Sequence, residues 1–273
     1  MSEQPLVSIC IPVYNGEKFI KETLDCAINQ SYQNIEIIIT DNCSTDSTPD
    51  IIKSINDSRI TYYKNESNIG AFANMNKVLG LANGKYVKLL CADDIIYKYC
   101  IKEQVSVFEN PDFTNIVLVC SNKDVINQDG KKVMTRKFPG KKGYLNGINA
   151  LRKSIHYGTN IIGEPASVLF KKEILEVSGA FNDDNTFMMD LDLWSRMLLL
   201  GDLFVIDKVL YGFRISSSSL SSNMGMGQIK LFNKFADKLY NDKRFKISNI
   251  DKLRGKLMAL AMGIARNLVY LFN

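Results

Sequence analysis

The first 94 residues predict an α/β fold, a mainly parallel sheet covered by helices. Three observations lead there. Short apolar runs alternate strictly with segments whose apolar residues recur at helical spacing. Turn-forming residues separate them, at Asn15-Gly16, Asn68-Ile69-Gly70 and Asn83-Gly84. The last run, Val87 to Ala92 with Lys88 its one charge, reads as a strand buried on both faces and ends abruptly in Asp93-Asp94.

Leu6 to Ile11 is the first expected strand, stopped by Pro12 and turned by Asn15-Gly16. Residues 17–30 follow as a helix with Phe19, Ile20, Leu24 and Ala27 or Ile28 on one face. Ile35 to Thr40 is the second strand. A polar loop opens at Asp41, and Thr48 before Pro49 supplies a cap and first turn for a helix running to about Ile55. Arg59 to Lys64 is the third strand, and residues 71–82 are a helix ended by Asn83-Gly84.

The second half changes character. Residues 99–109 read as a helix and Ile116 to Cys120 as a buried strand. Gln128-Asp129-Gly130-Lys131 marks a hairpin turn. Residues 135–147, basic and Gly-rich, read as a mobile loop, either a solvated linker or a flap over an anionic substrate. A helix over 147–156 precedes a strand entered at Glu164 to Phe170, and Lys171 to Val177 is a short helix. Phe187 opens an amphipathic helix to about Leu200, and Leu203 to Ile206 and Val209 to Phe213 are two short strands. Ser216 to Ser222 is a serine-rich loop. Two helices close the chain. Phe232, Phe235, Ala236 and Leu239 share a face of the first, and Leu257, Leu260, Ala261, Ile264 and Leu268 a face of the second. These faces suit packing on the core or on a second subunit, with a membrane surface as the alternative.

Composition narrows the function classes. The 273 residues are 46% hydrophobic and 23% charged, ordinary for a soluble globular protein. Lys and Arg number 34 against 29 Asp and Glu, a mild excess without the clustering that nucleic-acid binding requires. The six cysteines form no C-x-x-C pair and read as reduced, packed thiols, which with no signal-like N-terminus gives a cytoplasmic expectation. A single histidine, His156, excludes multi-histidine metal sites and reads as a structural residue.

The chemistry gathers on one expected rim of the sheet. Asp41 follows the second strand and Asp93-Asp94 the fourth, and ligands of open α/β sheets bind beyond such carboxyl ends. Two adjacent acids there suit a helix N-cap by Asp94 or a divalent cation held against a diphosphate, and both readings stand from the residues alone.

Val7-Ser8-Ile9-Cys10-Ile11-Pro12-Val13-Tyr14-Asn15 resembles the opening of family 2 glycosyltransferases. Thr40 to Asp46 is similar to that family's "D-D-x-S-x-D" loop, Asn68 to Tyr86 to its next helix and turn, Cys91-Ala92-Asp93-Asp94 to its "D-x-D" motif, and Phe187 to Trp194 to its "E-D-x-D-L-W" segment. Five motifs in order cover residues 6 to about 215. The resemblance implies the GT-A fold, with a Rossmann-like, mixed, mainly parallel sheet, helices on both faces and a C-terminal helical tail. It implies a glycosyltransferase domain over 1–221 (a nucleotide-binding half, 1–94, and an acceptor half, 95–221), with 222–273 as a helical extension.

It further implies an inverting transfer from a nucleotide-diphospho-sugar, commonly UDP-linked, to a saccharide or lipid-linked acceptor in cell-surface polysaccharide synthesis. Carried over, Pro12, Tyr14, Asp41 and Asp93 are nucleotide-binding, Asp93 and Asp94 hold Mg²⁺ or Mn²⁺, and Asp190 is the general base. Glu164, Trp194 and Arg214 are further candidates for acceptor or diphosphate contacts, and Asp192 is the rival to Asp190. Thr40, Cys91 and Met189 stand where the family often has acids, and Ser216 where it often has His. A non-catalytic nucleotide-sugar binding module is therefore the alternative. Residues 222–273 are expected to meet a membrane or a second copy, the former placing the protein at the inner membrane face.

Overall fold

A computed structural model describes residues 4–182, 188–215 and 227–271, with side chains in the last helix described to 264. The first 94 residues alternate as expected: β1 (Val7–Val13), α1 (Ile20–Ile28), β2 (Ile35–Asp41), α2 (Thr48–Lys53), β3 (Ile60–Lys64), α3 (Ala71–Gly80) and β4 (Tyr86–Leu89). Then come β5 (Ile95–Ile96), α4 (Cys100–Phe108), β6 (Ile116–Ile126), β7 (Lys132–Arg136), β8 (Gly143–Leu145), α5 (Gly147–His156) and β9 (Leu169–Lys171). The chain continues through α6 (Lys172–Ser178), α7 (Met189–Met197), β10 (Asp202–Arg214), α8 (Gly227–Asn241) and α9 (Asn249–Leu271).

One sheet runs β3-β2-β1-β4-β9-β6-β10-β5, with β7 added to β6 and β8 to β10. Strands β1 to β4 are parallel. Strand β9 lies antiparallel between β4 and β6, and β6 pairs parallel with β10. The sheet is thus mixed and mainly parallel. The chain leaves β1 toward β2 and β3, then returns on its other side with β4, which opens a crevice at the carboxyl ends of β1 and β4.

Alternation along the strands explains the two cores. Val7, Ile9, Ile11 and Val13 of β1 and Ile37 and Ile39 of β2 join Ile20, Leu24, Ile52 and Ile101 from α1, α2 and α4. Cys10 and Ile38, pointing the other way, join Val78, Leu151, Leu191 and Phe235 from α3, α5, α7 and α8. Helices therefore cover both faces. A fully buried Ile is worth roughly 1.5–3 kcal/mol and a rim hydrogen bond about 1 kcal/mol, so the sheet core, not the loop contacts, fixes where the rim lies. Gly84 is required by close approach: a Cβ there would sit 2.7 Å from the Ser8 nitrogen.

Several expectations change. No helix follows Asp94 directly; β5 intervenes and α4 is preceded by Tyr99, so Asp94 is not an N-cap. Thr48 begins α2 rather than capping it, and its hydroxyl accepts from the Gly16 amide. Strand β6 runs six residues past Cys120. Residues 135–147 are not one loop, since β7 extends to Arg136 and β8 pairs with β10. The two expected short strands are one strand, β10, with register shifts around Val209. The α9 face holding Leu257, Leu260 and Ile264 is exposed rather than packed on the core, because Asp251 and Ala259 take the inward side. His156 is structural, bonded to Asp251, which also accepts from Arg152 and Ser248 and ties α9 to α5. Phe187, the loop 216–222 with Ser216, and the Leu268 side chain lie outside the described residues.

Candidate active site

The rim begins with two loops zipped together. Asn15, at φ +48°, donates its amide to Ser44 Oγ, and Thr45 donates back to Asn15 Oδ1 at 2.9 Å. Tyr14 projects from this junction, half exposed, beside the partly buried Pro12. Asp41 lies behind the junction rather than on it. It is fully buried, and its carboxylate accepts from the Ser44 amide at 2.8 Å and the Tyr62 hydroxyl at 2.7 Å. Asp41 thus shapes the loop through those two bonds. Thr40 is equally buried and donates to the Asn74 carbonyl. An amide network through the buried Asn42, Asn65 and Asn74 and the exposed Asn68 carries the same corner.

The acid pair after β4 is crowded. Cys91, Asp93 and Asp94 bring their ligand atoms within 4.8 Å of one another. Burial pushes Asp93 up, with the Arg214 charge pulling the other way. Burial, then the Asp93 charge, pushes Asp94 well above the carboxylate range, against the amide of Arg214, which donates to Asp94 Oδ1 at 2.9 Å. Burial likewise raises the Cys91 thiol, which keeps it neutral. Two repelling carboxylates short of positive charge fit a hard divalent ion such as Mg²⁺ or Mn²⁺, and a neutral thiol is no ligand for one. Asp93 and Asp94 are therefore the residues that would hold it.

Arg214, expected near phosphate, is instead a strut. It is 1% exposed, and its guanidinium donates to the carbonyls of Asp93, Asn127 and Gln128 and to Glu22 at 2.6 Å, over the Phe19 ring. Four of its five N–H donors are committed to these partners. Trp194 is also not a surface contact. It is fully buried against Phe170, and its Nε1 donates to the Gly163 carbonyl at 3.0 Å. Its effect is to fix the turn before Glu164, where Gly163 has φ +114°.

Glu164 sits in an ion pair with Lys123 and accepts from the Tyr211 hydroxyl at 2.8 Å. Burial would raise its carboxyl, but the Lys123 charge and these hydrogen bonds outweigh it and hold Glu164 low. It is therefore an anion at neutral pH and no hairpin cap. Lys123 and Tyr211 escaped the sequence reading. Lys123 stands in the polar stretch Ser121 to Asp124 of β6, so the sequence carried no signal that set it apart.

Asp190 stands in the first turn of α7. Burial, then the neighbouring Glu164 charge, pushes its carboxyl up to about 7, with Lys123 opposing. Its Oδ1 is buried and has no hydrogen-bond partner among the described residues. An unpaired carboxylate oxygen is costly, so this one is poised for a donor. Asp192 contrasts with it. It is 4% exposed and accepts from Lys238 at 2.7 Å, Arg196 at 3.1 Å and Asn182 at 3.2 Å. The rival acid is consumed by structure, and α8 is tied to α7 through it. The arrangement sets an unpaired carboxylate oxygen beside an anionic Glu164.

Comparisons with known proteins bear on the family and the fold. The family model described as Glycosyl transferase family 2 matches residues 8–178. An uncharacterized glycosyltransferase of Rickettsia typhi is 29% identical over 83% of this chain and 69% of its own. The Escherichia coli protein WfaP, named a UDP-Glc:alpha-D-GlcNAc-diphosphoundecaprenol beta-1,3-glucosyltransferase, is 29% identical over 80% of each chain. Among solved structures, S. aureus TarS in complex with UDP-GlcNAc superposes with a TM-score of 0.68 at 20% identity, covering 86% of this chain and 66% of that one. The mannosyltransferase PcManGT of Pyrobaculum calidifontis, in complex with GDP-Man and Mn²⁺, gives 0.64 at 18% identity over 97% of this chain and 76% of that one. The fold is GT-A, and the chain is a glycosyltransferase belonging to glycosyl transferase family 2.

Proposed function

We propose that the protein is an inverting transferase that moves a sugar from a UDP-linked donor to a hydroxyl of a saccharide or lipid-linked acceptor in cell-surface polysaccharide synthesis. The buried, unpartnered Oδ1 of Asp190 carries this reading. The acceptor hydroxyl gives its proton to Asp190 as its oxygen bonds to the anomeric carbon. The bond from that carbon to the donor phosphate breaks on the opposite face, and the nucleoside diphosphate leaves with the electron pair. One in-line displacement inverts the anomeric centre. Glu164, held anionic by Lys123, raises the affinity of Asp190 for that proton.

Residues 1–94 form the donor half in this reading. Tyr14 and Pro12 line the nucleotide, and Asp41 holds their loop from behind. Residues 95–221 form the acceptor half. A divalent ion on Asp93 and Asp94 would supply charge for the departing diphosphate. The UDP assignment draws on the ligand in the TarS structure and the donor in the WfaP name, and the acceptor class on the diphosphoundecaprenol in that name. Such an acceptor places the reaction at the cytoplasmic face of a membrane. Among the described residues no helix is long and apolar enough to cross one.

A thermal-shift screen tests the donor. UDP-sugars should raise the melting temperature when Mn²⁺ is present and much less in EDTA, because a ligand that binds only the folded state adds stability. No shift with any nucleotide-sugar, GDP-mannose included, would contradict the reading.

A further inference from the structure

The positive charge of this protein is not spread over it. Residues 222–273 carry ten Lys and Arg against three Asp and Glu, a net +7, while the other 221 residues carry 24 against 26, a net −2. Lys230, Lys234, Lys243, Lys246 and Arg254 are exposed and have no acidic partner among the described residues.

The same segment bears an unpartnered apolar stripe. Ile250, Leu253, Leu257, Leu260 and Ile264 of α9 are 78%, 62%, 61%, 45% and 49% exposed. They recur at intervals of three and four, so they share one face. The opposite face is closed against the protein. Asp251 binds Arg152 and His156 of α5, and an added Cβ at Gly255 would lie 2.7 Å from the Ile155 carbonyl oxygen. The orientation of α9 is therefore fixed, and the stripe faces outward.

We propose that this stripe, carried by the basic C-terminal segment, is a docking face for an anionic phospholipid membrane. The spacing alone would also suit a second helix. Charge separates the two occupants. A second copy would bring +7 against +7, whereas an anionic leaflet complements both the charge and the apolar row. The helix lies in the interface plane, with its five large apolar side chains in the acyl boundary and the lysines among the headgroups. Lys238 of α8 joins Asp192, two residues from Asp190, so the docked segment is linked to the helix that carries the base. The inference stands apart from the choice of donor and acceptor.

Vesicle flotation of the full chain tests it, with phosphatidylglycerol–phosphatidylcholine vesicles against pure phosphatidylcholine. The protein should float with the anionic vesicles, weakly with neutral ones, and less at high salt. Leu253→Glu with Leu257→Glu should abolish flotation while leaving the melting temperature unchanged, since both residues are exposed. Lys243→Glu with Arg254→Glu should weaken it about tenfold or more. Failure to float with anionic vesicles overturns the proposal, as does flotation indifferent to both pairs. A homodimer in sedimentation velocity that the Leu253→Glu, Leu257→Glu pair dissolves also overturns it, because a second copy then occupies the stripe.

Discussion

Trp194 and Gly163 are joined by a 3.0 Å hydrogen bond from the indole Nε1 to the carbonyl oxygen, and this bond ties the helix of Asp190 to the turn of Glu164. The two acids stem from elements far apart in sequence, and their approach depends on such a tether. Trp194→Phe keeps an aromatic ring and removes the donor, while the Gly163 carbonyl keeps its bond from Asn160. It should cost about 0.5–1.5 kcal/mol in urea unfolding and lower kcat about tenfold by loosening the geometry. Unchanged stability and turnover would remove Trp194 from the account.

Lys123 holds Glu164 as an anion. The pair is 12% and 27% exposed, so it is partly screened and worth less than a fully buried one. Lys123→Met should destabilise the fold by about 2–3 kcal/mol. Because Lys123 also opposes the upward shift of Asp190, the variant's pH–rate inflection should move to higher pH. An inflection that stays in place or falls would separate Lys123 from the base.

The pH dependence has a definite sign. A base must be ionised, so transfer should rise with pH through about 7, where the Asp190 carboxyl titrates. Stability should move the opposite way. The folded protein keeps the Asp190 proton up to about 7, whereas the unfolded chain gives it up near 4. Asp190 therefore contributes stability below the unfolded value that is lost as pH rises through the folded one. At pH 8, Asp190→Asn should be more stable than the parent by about 4 kcal/mol, a gain that vanishes near pH 4. Denaturant melts at the two pH values check it.

Local features were legible in the sequence. The strands β1 to β4 and the helices between them follow from period and turn chemistry within a few residues. What failed was decided by distant partners. Lys123 gained its role from Glu164, 41 residues on. Arg214 is charged, which predicts exposure, yet Glu22, Phe19 and three carbonyls converge on it from elsewhere in the fold. Asp41 was found on the rim, but the Tyr62 hydroxyl that occupies it comes from β3. The exposed Asp207 and Lys208 made β10 look like two strands, while the ladder with β6 runs past them through a register shift. The α9 pattern showed an apolar face without showing which way it turns.

Asp190→Asn tests the central claim most directly. Asparagine preserves the shape of the side chain and accepts no proton. Sugar transfer to an acceptor, measured beside calorimetric binding of the UDP-sugar, should fall by about 10²–10⁴-fold while donor binding stays unchanged. Transfer that proceeds at the parent rate would contradict Asp190 as the base and return the site to other hands.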